Sequence, residues 1–276
     1  MKNRFDTIAE PLEDLTRQLA DVNRRLEEAE AFKGNFLSNI RNEILNPLTA
    51  ILGLSAQIMN GEVRPDAISG HASMIHQEAF NLDFQLNNIC MAAELEAGEA
   101  VPFLTRIDVS GILESIILSL EHLRHDKDAA VELSLPDNTL FDCDAGMFHL
   151  IAVNLLDNAL RFCDPGTLVQ AHVTFTDDSM TLSICSRGPV LRPEDFERIF
   201  DRFSQLDSGR CKSHTGHGLG LSVVCALAEQ LGGSIALTTP ARHECLVTVT
   251  LPRPELPEAA MAREGNLIMF DNLELF

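Results

Sequence analysis

No window of this sequence approaches the roughly 18 consecutive apolar residues that a membrane-spanning helix needs, and the opening MKNRFDTIAEPLEDL lacks the apolar run of a secretory signal. The expectation is a soluble, cytoplasmic chain with no membrane contact by these residues. Metal-binding cysteine patterns are missing as well. The seven cysteines, at positions 90, 143, 163, 185, 211, 225 and 245, form no CxxC pair and have no histidine at zinc-ligand spacing. They read as small apolar residues in a reducing compartment. Positive charge is scarce: 21 Lys and Arg stand against 41 Asp and Glu, a formal net charge of -20. A general affinity for nucleic acid or an anionic membrane would work against long-range repulsion, so a protein partner fits better.

What is present is enough apolar material for more than one core. The chain has 276 residues, 45% of them hydrophobic, and two domains are expected. Ile8, Leu12, Leu15, Leu19, Val22, Leu26 and Ala29 recur at alternating spacings of four and three with charged residues between them. That period suits a coiled-coil seam of about three heptads, with a single amphipathic helix as the plainer alternative. Phe36, Ile40, Ile44, Leu48 and Ile51 continue one apolar face, which Pro47 should kink. The turn NGEVRP ends this helix. From Pro65, suited to a helix's first turn, a second seam runs through Ile68, Ala72, Ile75, Ala79, Leu82, Leu86, Ile89 and Ala93. Two antiparallel helices cannot bury both seams alone, so a homodimer forming a four-helix bundle is expected.

After the linker EAGEAVPF the pattern becomes mixed. Residues 131–135 alternate as a strand, Met147 to Phe162 reads as a helix, and 172–175 with 181–184 reads as a hairpin around Asp177, Asp178 and Ser179. Gly218 to Leu231 is expected to be helical, stopping at Gly232 and Gly233, with strands at 234–237 and 245–251 completing an α/β sandwich. The tail ends in NLIMFDNLELF, to which no role is assigned.

Five blocks carry a family resemblance. FLSNIRNEILNPLTAILG, at 36–53, resembles the histidine box of sensor histidine kinases, in which a His-Glu pair precedes Pro-Leu on the first bundle helix. NLLDNALRF (154–162) resembles the family's N box, SRGPVL (186–191) its first glycine box, FERIFDRFSQLD (196–207) its F box and GHGLGLSVV (216–224) its second glycine box. The resemblance covers roughly residues 30 to 252 and is far more specific than a lone glycine pattern. It implies an α plus α/β chain: a coiled-coil signalling helix at 1–31, a dimerisation hairpin at 32–98, a GHKL ATPase-like domain at 99–252 and a tail at 253–276. Implied partners are a second copy of the chain, a response-regulator receiver domain and another histidine kinase; implied cofactors are ATP and magnesium.

The residues give these implications chemical content. Asn154 and Asn158 lie four apart on one helix face, where their amide oxygens would hold magnesium against a triphosphate, and Arg161 on the next turn would meet a phosphate. Capping or surface asparagines are the bland alternative. Gly188, Gly216, Gly218 and Gly220 allow close backbone approach, the last three where a helix N-terminus favours anions. Lys212, His214 and His217 fall in the expected lid loop, either contacting phosphate or simply solvated.

The departures from the pattern matter most. Where the family has its phosphorylated histidine this chain has Asn42, whose amide is neither basic nor nucleophilic, so autophosphorylation there is excluded. The first glycine box has Ser186 where the family's aspartate would accept a bond from adenine, and Val190 in place of its second glycine. Losing such a charge-assisted bond commonly costs ~2 kcal/mol, roughly thirtyfold in affinity, so weak nucleotide binding is expected. Glu43 and Asn46 keep the ExxN positions that, by resemblance, orient a water against a regulator's phospho-aspartate. His71 and His76, outside the motif, are read as structural rather than as substitute acceptors. A phosphatase using Glu43 and Asn46, a binding module that sequesters a regulator or modulates an active kinase, and a residual ATP-binding protein all remain open.

Overall fold

The computed structural model describes residues 41–42, 44–190, 199–200 and 219–254. The expected coiled coil at 1–31, Glu43, Gly216, Gly218, the lid residues Lys212, His214 and His217, and the C-terminal motif lie outside them. Two compact units divide between Leu82 and Asp83.

In the first unit, residues 44–59 form helix α1 and turn at Gly61, whose φ of 69° is left-handed. The Gly61 N–H donates to the Ile58 carbonyl and the Glu62 N–H to that of Gln57, satisfying helix-end acceptors. Pro65 opens a single 3-10 turn, Pro65–Ala67, which leads into the 30-residue helix α2, Ile68–Ala97. The two helices are tied by His71, whose ring nitrogens contact the Ala67 carbonyl at 3.1 Å and Gln57 Oε1 at 3.2 Å. Along the expected seams Ile44, Ile51, Ile75, Leu82 and Ile89 are half-buried while Leu48, Ile68 and Leu86 are exposed, leaving an apolar face wet in the single chain.

The second unit begins inside α2, which ends at Gly98. Its order is β1 (Leu104–Asp108), α3 (Val109–Ser119), α4 (Glu121–Lys127), β2 (Ala130–Ser134), β3 (Leu140–Asp144), α5 (Ala145–Phe162), β4 (Leu168–Phe175), β5 (Ser179–Arg187), α6 (Gly220–Gln230), β6 (Ser234–Thr238) and β7 (Glu244–Pro252). β1 and β3 form an antiparallel ribbon. The main sheet has the order β2-β4-β5-β7-β6, antiparallel except for the parallel pair β2 and β4.

Alternation fixes which sheet face is covered. Val169, Ala171 and Val173 of β4, Met180, Leu182 and Ile184 of β5, and Val247, Val249 and Leu251 of β7 are buried, with polar residues such as Gln170, Thr181 and Thr250 between them. α5 packs on β5 and against α3, α4 and α6, and α6 packs on β6 and β7. Phe148, Ile151, Leu155 and Leu156 of α5 are fully buried, each contributing roughly 1.5–3 kcal/mol. Asp144 caps α5, its Oδ1 accepting from the Met147 N–H at 2.8 Å. Among the described residues no helix is long and apolar enough to cross a membrane.

The expected helix from Gly218 starts later: Leu219 is not helical and α6 begins at Gly220. β1, α3, α4 and β3 were not anticipated individually.

Candidate functional site

On the first helix Asn42 and Asn46 are both exposed, one turn apart, while Pro47 between Asn46 and Leu48 is buried. The i, i+4 spacing stacks the two carboxamides on one face open to solvent. His76 of α2 is exposed, and Ile75 beside it is half-buried.

The second cluster is built on α5. Asn154 is only 3% exposed. Its Nδ2 donates to Asn88 Oδ1 of α2 at 2.7 Å and to the Leu150 carbonyl at 2.8 Å. With both N–H bonds so directed, Oδ1 turns towards the start of α6, where a Cβ added at Gly220 would lie 2.6 Å from it. Asn158, one turn on, is half-buried. Buried amides are tolerated only with partners of this kind, because an unmet one costs about 1–3 kcal/mol.

Asp157 is buried, and its Oδ2 takes the Arg161 Nε–H at 2.6 Å, an i, i+4 ion pair. His122 of α4 lies beside them. Burial pushes its imidazole below the usual 6.5, the Ser119 carbonyl pulls the other way, and the Arg161 charge adds to the depression.

At the far end of β5, Ser186 is half-buried and paired with Cys245 of β7, on the same side of the strand as buried Leu182 and Ile184. Burial pushes the Cys245 thiol up to about 11 and the Cys143 thiol to about 12, so neither is a ready nucleophile. Gly188 is buried, its N–H donating to the His243 carbonyl at 2.8 Å, while Val190 is 51% exposed.

The structure thus brings Asn154 against Gly220 at the α6 N-terminus, has Asn158 and Arg161 further along α5, and places Ser186 and Gly188 at the end of β5. Sequence reasoning missed Asn88, Asp157 and His122. For Asn88 the one available signal was an amide next to the seam residue Ile89, where burial would demand a partner.

An amide oxygen suits magnesium, and one aimed at a helix N-terminus lies where a phosphate and its cation would meet. The residues present therefore fit a nucleotide–magnesium pair at Asn154, Asn158, Arg161 and Gly220, although Ser186 supplies no carboxylate at the other end.

Comparison with known proteins supplies the context. Residues 143–255 match the family described as histidine kinase-, DNA gyrase B-, and HSP90-like ATPase. The sensor histidine kinase TmoS of Ectopseudomonas mendocina is 27% identical over 263 residues, 92% of this chain and 26% of that protein. The signal transduction histidine-protein kinase BarA of Escherichia coli K12 is 29% identical over 244 residues, 83% of this chain and 26% of that protein. The chain spans about a quarter of the length of these relatives. Among solved structures, the Acinetobacter baumannii histidine kinase AdeS aligns with a TM-score of 0.55 at 20% identity, over 78% of this chain and 98% of that one. ShkA, solved full-length in complex with AMPPNP, aligns with a TM-score of 0.58 at 22% identity, over 81% of this chain and 47% of that one. These two likenesses concern the fold.

Proposed function

We propose that this chain, whose residues 143–255 match the histidine kinase-, DNA gyrase B-, and HSP90-like ATPase family and which is similar over most of its length to sensor histidine kinases, acts on a response regulator as a phosphatase and not as an autokinase. The observation that carries this reading is the pair of exposed carboxamides, Asn42 and Asn46, on one face of the first helix. The nitrogen lone pair of Asn42 is delocalised into its carbonyl, so it does not attack a phosphorus atom and forms no phosphoramidate. Asn46 needs no such basicity. Its amide positions a water by hydrogen bonding, and Glu43 helps orient the docked partner.

The chemistry is hydrolysis of an acyl phosphate. A water oxygen bonds to phosphorus as the bond to the regulator's aspartate oxygen breaks, releasing phosphate and a free carboxylate, with the water's proton passing to phosphate or solvent. The regulator's own magnesium site neutralises the charge, and the helix contributes position. A homodimer, favoured by the wet seam at Leu48, Ile68 and Leu86, would present two such faces.

The buried Asn154 cluster favours a second, compatible property: weak nucleotide binding at α5 and α6, with magnesium held by Asn154 and Asn158. Bound nucleotide would supply a polyphosphate charge there; Arg161, already steadied by Asp157, would meet it. If the regulator binds without being dephosphorylated, a sequestering module, or a modulator of an active kinase, replaces the phosphatase reading.

The test uses purified chain, the phosphorylated regulator it binds, and two variants. Asn46→Ala should slow regulator decay by about 10² to 10³ relative to the unmodified chain, with binding retained. Asn42→Ala should change it far less. Equal effects of the two substitutions, or none from Asn46→Ala, would overturn the assignment.

A further inference from the structure

The hydrogen bond between Asn154 and Asn88 joins residues 66 positions apart on different elements, and both partners are buried. A terminal amide offers a cation only its oxygen; turned over, it offers an NH2 group whose partial charge repels. The two orientations have nearly the same shape, so the partners decide between them. For Asn154 they decide in one direction. One N–H is met by the Leu150 carbonyl within α5, and the other by Asn88 Oδ1, leaving Asn154 Oδ1 facing Gly220. Asn88 is itself held, since its Nδ2 donates to the Phe84 carbonyl at 3.0 Å. Just beyond α2 the chain is pinned again, by the Gln230 Nε2–H on the Ala100 carbonyl at 2.7 Å.

We propose that Asn88 is a positioning residue of the nucleotide–magnesium site: by taking the second N–H of Asn154 it fixes the amide so that the oxygen faces the cation. This rests on the reading of Asn154 as a magnesium ligand. The Leu150 carbonyl, an acceptor only, favours the same orientation, and Asn88 supplies the second acceptor that holds the remaining N–H. Partners of this kind, one bond removed from the metal, typically govern its affinity by 10- to 100-fold.

The experiment is calorimetry of the full chain with a non-hydrolysable ATP analogue, in magnesium and in EDTA. The unmodified chain should bind more tightly with magnesium. Asn88→Ala should weaken the magnesium value by about tenfold while leaving the EDTA value unchanged. Asn88→Asp keeps an acceptor for the Asn154 N–H, but it loses the bond to the Phe84 carbonyl and buries a charge, so it is compared only by the NMR measurement. If Asn88→Ala folds poorly, Asn88→Leu fills the same volume without an acceptor and gives the same reading. The Asn154 side-chain NH2, followed by NMR, should be protected from solvent exchange in the unmodified chain and Asn88→Asp but not in Asn88→Ala. Equal affinity of Asn88→Ala and the unmodified chain in magnesium overturns the positioning role and leaves the site standing. Equal weakening in magnesium and EDTA shows a structural role only and also overturns it. No binding by the unmodified chain under either condition removes the magnesium site itself, and this proposal with it.

Discussion

At Gly188 an added Cβ would stand 2.3 Å from the Phe162 carbonyl oxygen and 3.3 Å from its carbon, backbone atoms that do not swing aside as a side chain would. The end of β5 therefore closes on the end of α5, where the Asp164 N–H also donates to the Arg187 carbonyl at 2.7 Å. Gly188→Ala should destabilise the chain by about 1–3 kcal/mol, the usual result of forcing bulk into packed structure, read as a lower denaturant midpoint. An unchanged midpoint would mean that the contact relaxes freely. This glycine and Gly220 were legible as positions of close approach, but the sequence suggested a nucleotide as the neighbour, and phosphate only at Gly220. The structure gives each a neighbour inside the chain, Phe162 and Asn154. Asn88 and His122 were not legible, because what singles them out is burial beside residues far away in sequence.

Helix α5 owes its start to Asp144, whose two oxygens serve different elements. Oδ1 accepts from the Met147 N–H within the first turn, and Oδ2 accepts from the Phe103 N–H at 2.7 Å, just before β1. Asp144→Ala should cost about 1–2 kcal/mol for the cap, with hydrogen exchange rising at Phe103 as well as in the first turn of α5. Faster exchange in only one of these places would separate the two roles. At this scale the sequence was readable where periodicity was long. The turn at 60–64, the long α2, α5, the β4–β5 hairpin, β6 and β7 lie within a few residues of their expected places. Between 104 and 144 only β2 was readable, and the rest was opaque for physical reasons. α4 is only seven residues, and β3 buries Phe141, Asp142 and Cys143 in succession, so no alternation marks it. Asp142 is accepted there because Arg106 of β1 meets it, Nε to Oδ1 at 3.0 Å.

For the molecule as a whole, the wet apolar face of α1 and α2 is the strongest reason to expect a second copy. Each seam leucine buried between copies contributes ~1.5–3 kcal/mol, enough over several heptads for a dimer at roughly ten micromolar protein. Sedimentation should show that dimer, and Leu82→Asp with Leu86→Asp should give a monomer; a monomeric unmodified chain would contradict it. On the proposed function, this chain removes phosphate from a regulator without ever carrying it. The most direct test is the decay of a phosphorylated response regulator, followed in time with and without the chain under conditions where the two are shown to bind. Faster loss of the phospho-aspartate and release of inorganic phosphate are expected, with no phosphate on the chain. An unchanged decay rate in the bound complex, or transfer of the phosphoryl group to the chain, would contradict it.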